Sequence, residues 1–331
     1  MQKGIKSMIW SLYVPLRPSP KKGLENAIYF EESAWNKIVD HAARNGINQI
    51  VMELNNGLHF ASAPELAMGG AWTRQKARTE AKRLKALGIE LIPLMNFSAT
   101  HHQWLGEYGR MMSTKEYYRV CRELIREVYE VFDRPRYIHI GMDEEGDSQF
   151  FGEMEYVNFR QGELYFHDLQ FLLDCVRDTG ATPWIWADPC MYHPEEFRKR
   201  IGNGDIVIQP WIYYSIKREH YTKTEGRQHY IDIGRDYGVE YVEEAPIWQI
   251  FTRESIIAAR DGFKSVPCAS TCFWNTYCHD ELVEYFKENA PADSVLGFMT
   301  APWVYTREED VDAVIDSINV LAEARKKHYG N

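Results

Sequence analysis

No stretch of this 331-residue chain approaches the roughly 18 to 20 consecutive apolar residues that a membrane helix needs. No run of five or six Lys and Arg is present either. With a formal net charge of −10, the chain offers nothing to neutralise a phosphate backbone, which argues against nucleic acid as a partner. Cysteine is sparse and scattered: six residues, three of them as C-x3-C-x5-C within "VPCASTCFWNTYCHD", with no paired C-x2-C unit. That spacing argues against zinc and for free, buried or half-buried thiols in a reducing compartment. A Gly-rich phosphate loop after the first strand is missing too; the proline-rich "SLYVPLRPSPKKG" stands in its place. The opening "MQKGIKSMIWSLYVPLRP" has a short apolar stretch interrupted by Ser11 and Tyr13 and no small-residue cleavage site, so it reads as a first strand rather than a signal peptide. The expectation is a cytoplasmic globular protein without a membrane partner, a bound metal or a cofactor, its oligomeric state open.

What is there is core material: 45% hydrophobic and 14% aromatic residues, enough for a sizeable interior. A local signature repeats, in which a helical pattern runs into Gly and then into a short β-like run: "NGINQIVMEL", "LGIELIPLM", "TGATPWIWA", "YGVEYVEEA" and "DGFKSVPCA". Glycine past a helix end adopts the left-handed conformation without steric penalty, and the run that follows suits a buried strand. Residues 116 to 132 place Tyr117, Val120, Cys121, Leu124, Ile125, Val128, Val131 and Phe132 on one helical stripe, with Ser113 and Glu116 at capping-box spacing. Further helices are expected near 33–45, 73–87, 163–178, 253–261, 280–289 and 309–327. Strands are expected near 5–13, 47–54, 89–95, 136–142, 183–187, 205–211, 239–244, 265–272 and 295–301. Strands alternating with helices predict an α/β fold, a closed (β/α)8 TIM barrel forming a single domain over residues 1–331, with one extra strand-like segment. Residues 213–252 or so, rich in Tyr, His, Lys and Arg at their start, form an insertion after the sixth strand.

In such a barrel the site gathers at the C-terminal ends of the strands. Those ends carry Glu53, Asn55 and Asn56; Asn96, His101 and His102; Asp143 and Glu144; Trp186 and Asp188; Gln209 and Trp211; Trp274 and Asn275; Trp303 and Tyr305. Taken singly, a Trp there is more often packing, and an Asn or Asp a helix cap or turn residue. Together, aromatic faces and short polar side chains suit a carbohydrate, whose apolar face stacks while its hydroxyls hydrogen-bond. "YIHIGMDEEGD" sets four acids, Asp143, Glu144, Glu145 and Asp147, behind a strand. Consecutive strand residues face opposite sides, so Asp143 and Glu144 share the mouth only if the backbone bends between Gly141 and Asp143. Glu145 and Asp147 read as loop or helix-cap residues.

"YIHIGMDE" resembles the H-x-G-G-D-E signature of family 20 glycoside hydrolases, the β-N-acetylhexosaminidases. "GIELIPLMNFSATHHQW" is similar to that family's third-strand segment, "PWIWADP", "DIVIQPW" and "VLGFMTAPW" to its fifth, sixth and eighth strands, and "ESIIAARDGFKSVPCAS" to its sixth helix and seventh strand. The resemblance spans most of residues 45 to 305 and makes 239–244 part of the insertion. It implies a retaining, exo-acting hydrolase of a β-linked 2-acetamido sugar. Glu144 would be the general acid and then the base. Asp143 would orient the acetamido group, whose carbonyl oxygen replaces an enzyme nucleophile. Adjacent acids suit that division, since one must hold a proton while the other stays ionised. Glu53, Asn96, His101, Trp186, Asp188, Trp211, Trp274, Asn275, Trp303 and Tyr305 would bind the sugar.

The sequence departs from the family at recognisable points. Met142 replaces the second glycine of the signature, Asn96 replaces an aspartate, and the family's histidine falls one place from His101. The first-strand arginine, the tyrosine after the seventh strand and the glutamate after the eighth-strand Trp have no counterpart, and the expectation is a barrel without the family's N-terminal α/β domain. A sugar without the acetamido group would need a nucleophile from Glu53, Asp188, Glu243 or Glu244. Two other functions compete: a carbohydrate-binding barrel without turnover, and a metal-dependent sugar isomerase or epimerase using Glu53, Asp143, Asp188 and a histidine.

Overall fold

Helix-ending glycines punctuate the chain as expected: Gly46, Gly88, Gly180 and Gly262 have φ of +72°, +79°, +96° and +99°, a region that side chains with a Cβ avoid. A computed structural model describes residues 8–16, 27–146, 154–156, 158–202, 204–213, 216, 247–272 and 278–330, with 247–250 described as helix backbone. Its strands are β1 (Ile9–Pro15), β2 (Gln49–Glu53), β3 (Glu90–Leu94), β4 (Tyr137–His139), β5 (Thr182–Trp186), β6 (Val207–Gln209), β7 (Lys264–Ser265), β8 (Cys268–Ala269) and β9 (Gly297–Thr300). All pairings are parallel, in the order β7-β6-β5-β4-β3-β2-β1-β9-β8.

The two ends of that order are one strand. β7 pairs with β6, β8 pairs with β9, and only Val266 and Pro267 separate them. Bridges from Trp211 to Cys268 and from Ser265 to Val295 complete both seams, so eight strand positions close a ring. Proline has no N–H to give to a ladder, which accounts for the break. β6 pairs directly with β7, and the ring closes without residues 239–244, which lie outside the described residues along with most of the 213–252 insertion. β1 and β2 are buried along their whole length, as strands covered on both faces must be.

Helices pack outside the ring. The helix Lys115–Val131 buries Tyr117, Val120, Cys121, Leu124, Ile125, Val128 and Val131, the expected stripe. Its cap differs from the expected Ser113 and Glu116. Thr114 caps it, the hydroxyl accepting from Tyr117 N at 3.3 Å, while Ser113 at φ +63° donates to Asp168 and Glu116 pairs with Arg119. Thr114→Ala should lower stability by about 1 kcal/mol, read as a lower urea midpoint at unchanged slope. Two short helices with a proline in the first turn follow β5, Asp188–Tyr192 and Pro194–Ile201, where the sequence pattern predicts none. Five cysteines are buried free thiols and Cys272 is exposed. No helix among the described residues is long and apolar enough to cross a membrane.

Candidate active site

β4 stops at His139 because the next residues leave the extended conformation. Gly141, Met142 and Glu144 have φ of +70°, +74° and +52°. This is the bend that places Asp143 and Glu144 on the same side. Gly141 is required by a close approach as well as by φ: a Cβ on it would lie 2.0 Å from Asn96 Oδ1. Met142 holds its left-handed backbone without that freedom, at about 1–2 kcal/mol, with its side chain fully buried. The position that departs from the signature is thus one where glycine is conformationally natural.

Asn96, just past β3, organises the bend. Its N–H donates to Asn55 Oδ1 (3.0 Å), its Nδ2 to Asp143 Oδ1 (2.8 Å), and its Oδ1 accepts from Ser98 N (3.1 Å) and Met142 N (3.4 Å). His101 Nε2 then sits 3.0 Å from Glu144 Oε2 and 3.4 Å from Asp143 Oδ2. Burial alone would depress the imidazole, but Asp143 and Glu144 outweigh it and hold His101 well above the usual histidine value. Burial would likewise raise Asp143, yet the His101 charge and the bonds from His101 and Asn96 hold it below the usual carboxylate range. Asp188 goes the other way, pushed well up by burial first and by the charge of Asp143 second.

His101 contributes stability that is fully present below its unfolded pKa and lost as pH rises through the raised folded value. Asp143 contributes stability present above its unfolded pKa and lost as pH falls through the lowered folded value. The His101→Ala variant should therefore lose the alkaline decline in stability above the ordinary histidine pKa of ~6.5. Urea midpoints of both proteins across that range check it; parallel curves would refute the ion pair.

The aromatic wall is continuous. Trp303 lies 4.5 Å from Tyr13, 5.8 Å from Trp186 and 6.2 Å from Tyr213, which is 5.5 Å from Trp211. Trp211 and Trp303 are half-buried, whereas Trp186 is only 2% exposed and packs on His139. His139 Nδ1 accepts from Gly141 N and its Nε2 faces Gln209 Oε1, both at 3.0 Å, so the proton is on Nε2; burial pushes its pKa down to about 3.

Several expected site residues are committed to the protein. Glu53 accepts from Tyr13 and Asn55, and Asp188 from Glu144 N and Trp211 Nε1. Tyr305 packs at the rim against Tyr29 (5.5 Å) and under Arg307 (4.7 Å). Trp274 and Asn275, with Glu243, Glu244 and Asp147, lie outside the described residues. Glu145 lies in the loop after β4, as expected, and its half-buried carboxylate is paired there with Arg160, accepting from Nε and Nη2 at 2.9 Å each and from Ala99 N at 2.7 Å. Arg160 also donates to Phe97 O at 2.8 Å, so one ion pair clamps the loops after β3 and β4. His139 is the histidine of the signature in "YIHIGMDE", whereas sequence reasoning misses Tyr13, Tyr213 and Arg160. Of these three, Tyr13 alone carries a signal, as the last aromatic of the first strand.

Among the described residues, the one group of three metal-capable ligands within 4.8 Å is His101, Asp143 and Glu144. It shares Asp143 and a histidine with the isomerase set but has Glu144 in place of Glu53 and Asp188.

The family model "Glycosyl hydrolase family 20, catalytic domain" matches residues 15–303. The fold is similar to the exo β-N-acetylglucosaminidase from Vibrio harveyi in complex with N-acetylglucosamine, at 14% identity and TM-score 0.62, covering 97% of this chain and 55% of that one. It is similar also to the Streptomyces plicatus N-acetyl-β-hexosaminidase in complex with Thio-NAglucal, at 13% identity and TM-score 0.64, covering 97% and 64%. The Streptomyces coelicolor A3(2) β-N-acetylhexosaminidase matches at 12% identity and TM-score 0.61, with the same coverage of 97% and 64%. At such identities the likeness shows the fold alone, and the chain spans 55% to 64% of the length of these enzymes. Among curated proteins nothing matches.

Proposed function

Because this chain belongs to glycosyl hydrolase family 20, we propose that it removes a β-linked 2-acetamido sugar from the non-reducing end of a glycan, with retention, through substrate assistance. The observation that carries this reading is the division of labour among the acids. Asp143 and Glu144 both face His101. Glu53, Glu145 and Asp188, like Asp143 between Asn96 and His101, each have both oxygens engaged by protein donors. A carboxylate so occupied is a poor nucleophile, and the substrate's own acetamido oxygen fills that role.

The sugar lies against Trp303 and Trp211. Glu144 gives its proton to the glycosidic oxygen, the C1–O bond breaks, and the acetamido carbonyl oxygen closes on C1. Asp143, kept ionised by His101 and Asn96, accepts the acetamido N–H and balances the positive charge that develops on the ring so formed. Glu144 then takes a proton from water as its oxygen attacks C1, the bond from C1 to the acetamido oxygen breaks, and the β configuration and the free acetamido group are restored. The buried imidazolium of His101 keeps a proton 3.0 Å from Glu144.

Proton NMR of the first product formed from an aryl 2-acetamido-2-deoxy-β-glucoside, beside the matching glucoside, tests the proposal. The β-anomer should appear first and the glucoside should stay intact. Equal cleavage of both would exclude substrate assistance; binding without cleavage would favour a non-hydrolytic barrel.

A further inference from the structure

Asp188 opens the short helix after β5 and is 3% exposed. Its Oδ1 accepts the backbone N–H of Glu144 at 2.9 Å, and its Oδ2 accepts the indole N–H of Trp211 at 2.7 Å. Those donors follow β4 and β6, the strands on either side of β5. One carboxylate therefore ties three neighbouring barrel loops together at the mouth.

What it holds is strained. Glu144 has φ +52°, a conformation residues other than Gly, Asn and Asp seldom keep without support. Asp188 fixes its N–H, and Thr100 Oγ1 fixes its carbonyl at 2.9 Å. On the other side, the Trp211 ring meets Tyr213 and, through it, Trp303.

We infer that Asp188 is a positioning residue that links the acid Glu144 to the aromatic wall, setting the distance between the proton donor and the face on which the sugar lies. The inference rests on the roles given above to Asp143 and Glu144. It replaces the expectation that Asp188 binds a sugar hydroxyl, because both its oxygens already accept bonds from the protein.

The bond pattern makes a specific demand: two acceptors, facing two N–H donors. Asp188→Asn keeps the shape but sets an amide NH2 against one of them. Loss of alignment at this scale should lower kcat by about 10²-fold with KM little changed. Trp211→Phe removes the indole donor. In the double variant Asp188→Asn/Trp211→Phe the new amide is then free to turn its oxygen to Glu144 N. The double variant should regain about tenfold in kcat over Asp188→Asn alone, a non-additive gain expected only of coupled residues.

A second readout needs no activity. The chain has ten tryptophans. In protein labelled with [15N]tryptophan, the indole signal lost in Trp211→Phe identifies Trp211. Asp188→Asn should move that signal upfield and leave the remaining indole signals in place, which also shows that the variant folds. An unmoved Trp211 signal, or kcat losses that multiply in the double variant, would overturn the inference. Should the protein cleave no glycoside at all, the functional reading fails while the indole shift still decides the link.

Discussion

Glu144→Gln lowers kcat on an aryl 2-acetamido β-glycoside by about 10³-fold with KM nearly unchanged, within the 10²–10⁴ range of general acid catalysis. Glutamine keeps the size and the capacity to meet His101 Nε2, so the bend at Gly141 and Met142 should survive. What it loses is the transferable proton. The loss should therefore grow with the basicity of the leaving group, smallest for a nitrophenyl glycoside and largest for a disaccharide. A uniform loss across leaving groups would mean that Glu144 acts on binding or folding rather than on the glycosidic oxygen. Asp143→Asn should differ in kind. It removes the charge that balances the developing positive ring, so its cost should vary little with the leaving group.

That pair is legible in sequence because a local signal, a β-rich run ending in a glycine that lets the chain turn, coincides with the resemblance of "YIHIGMDE" to the family signature. The helix stripe of residues 117 to 131 and the helix-ending glycines are legible from local signals alone, since periodicity and φ preference are properties of a few neighbouring residues. The rest depends on partners far along the chain. Sequence marks Asp188 and Glu145 as acids at strand ends, but not that Asp188 meets Trp211 or that Glu145 meets Arg160. Trp186, Trp211 and Trp303 look alike in sequence, yet only the last two keep an exposed face, because β5 points Trp186 inward onto His139. Thr114 takes the cap from Ser113 because the hydroxyl of Ser113 is drawn to the buried Asp168. The seventh barrel strand reads as one run and folds as two, since Pro267 cannot donate.

Gly141→Ala is expected to lower stability by about 3 kcal/mol, combining left-handed strain of ~1 kcal/mol with overpacking of ~1–3 kcal/mol. The added methyl would lie 2.0 Å from Asn96 Oδ1, 2.4 Å from its Cγ and 2.8 Å from its Cα. The side chain could swing aside, but the clash with the main chain of Asn96 forces the backbone after β3 to move as well. Either movement breaks the Asn96 bond to Asp143, so kcat should fall about 10²-fold along with Tm. Met142→Gly separates the two effects one residue away. It relieves the left-handed strain at φ +74° but empties a fully buried site, so the net change should still be destabilising by about 1–3 kcal/mol. Its kcat should stay close to that of the parent, because Asn96, Asp143 and His101 keep their bonds. Thermal melts and kcat for the two variants decide the matter. A Gly141→Ala protein that melts and turns over like the parent would show that β3 and β4 do not approach as closely as the bend requires, and would remove the physical reason for glycine before the acid pair.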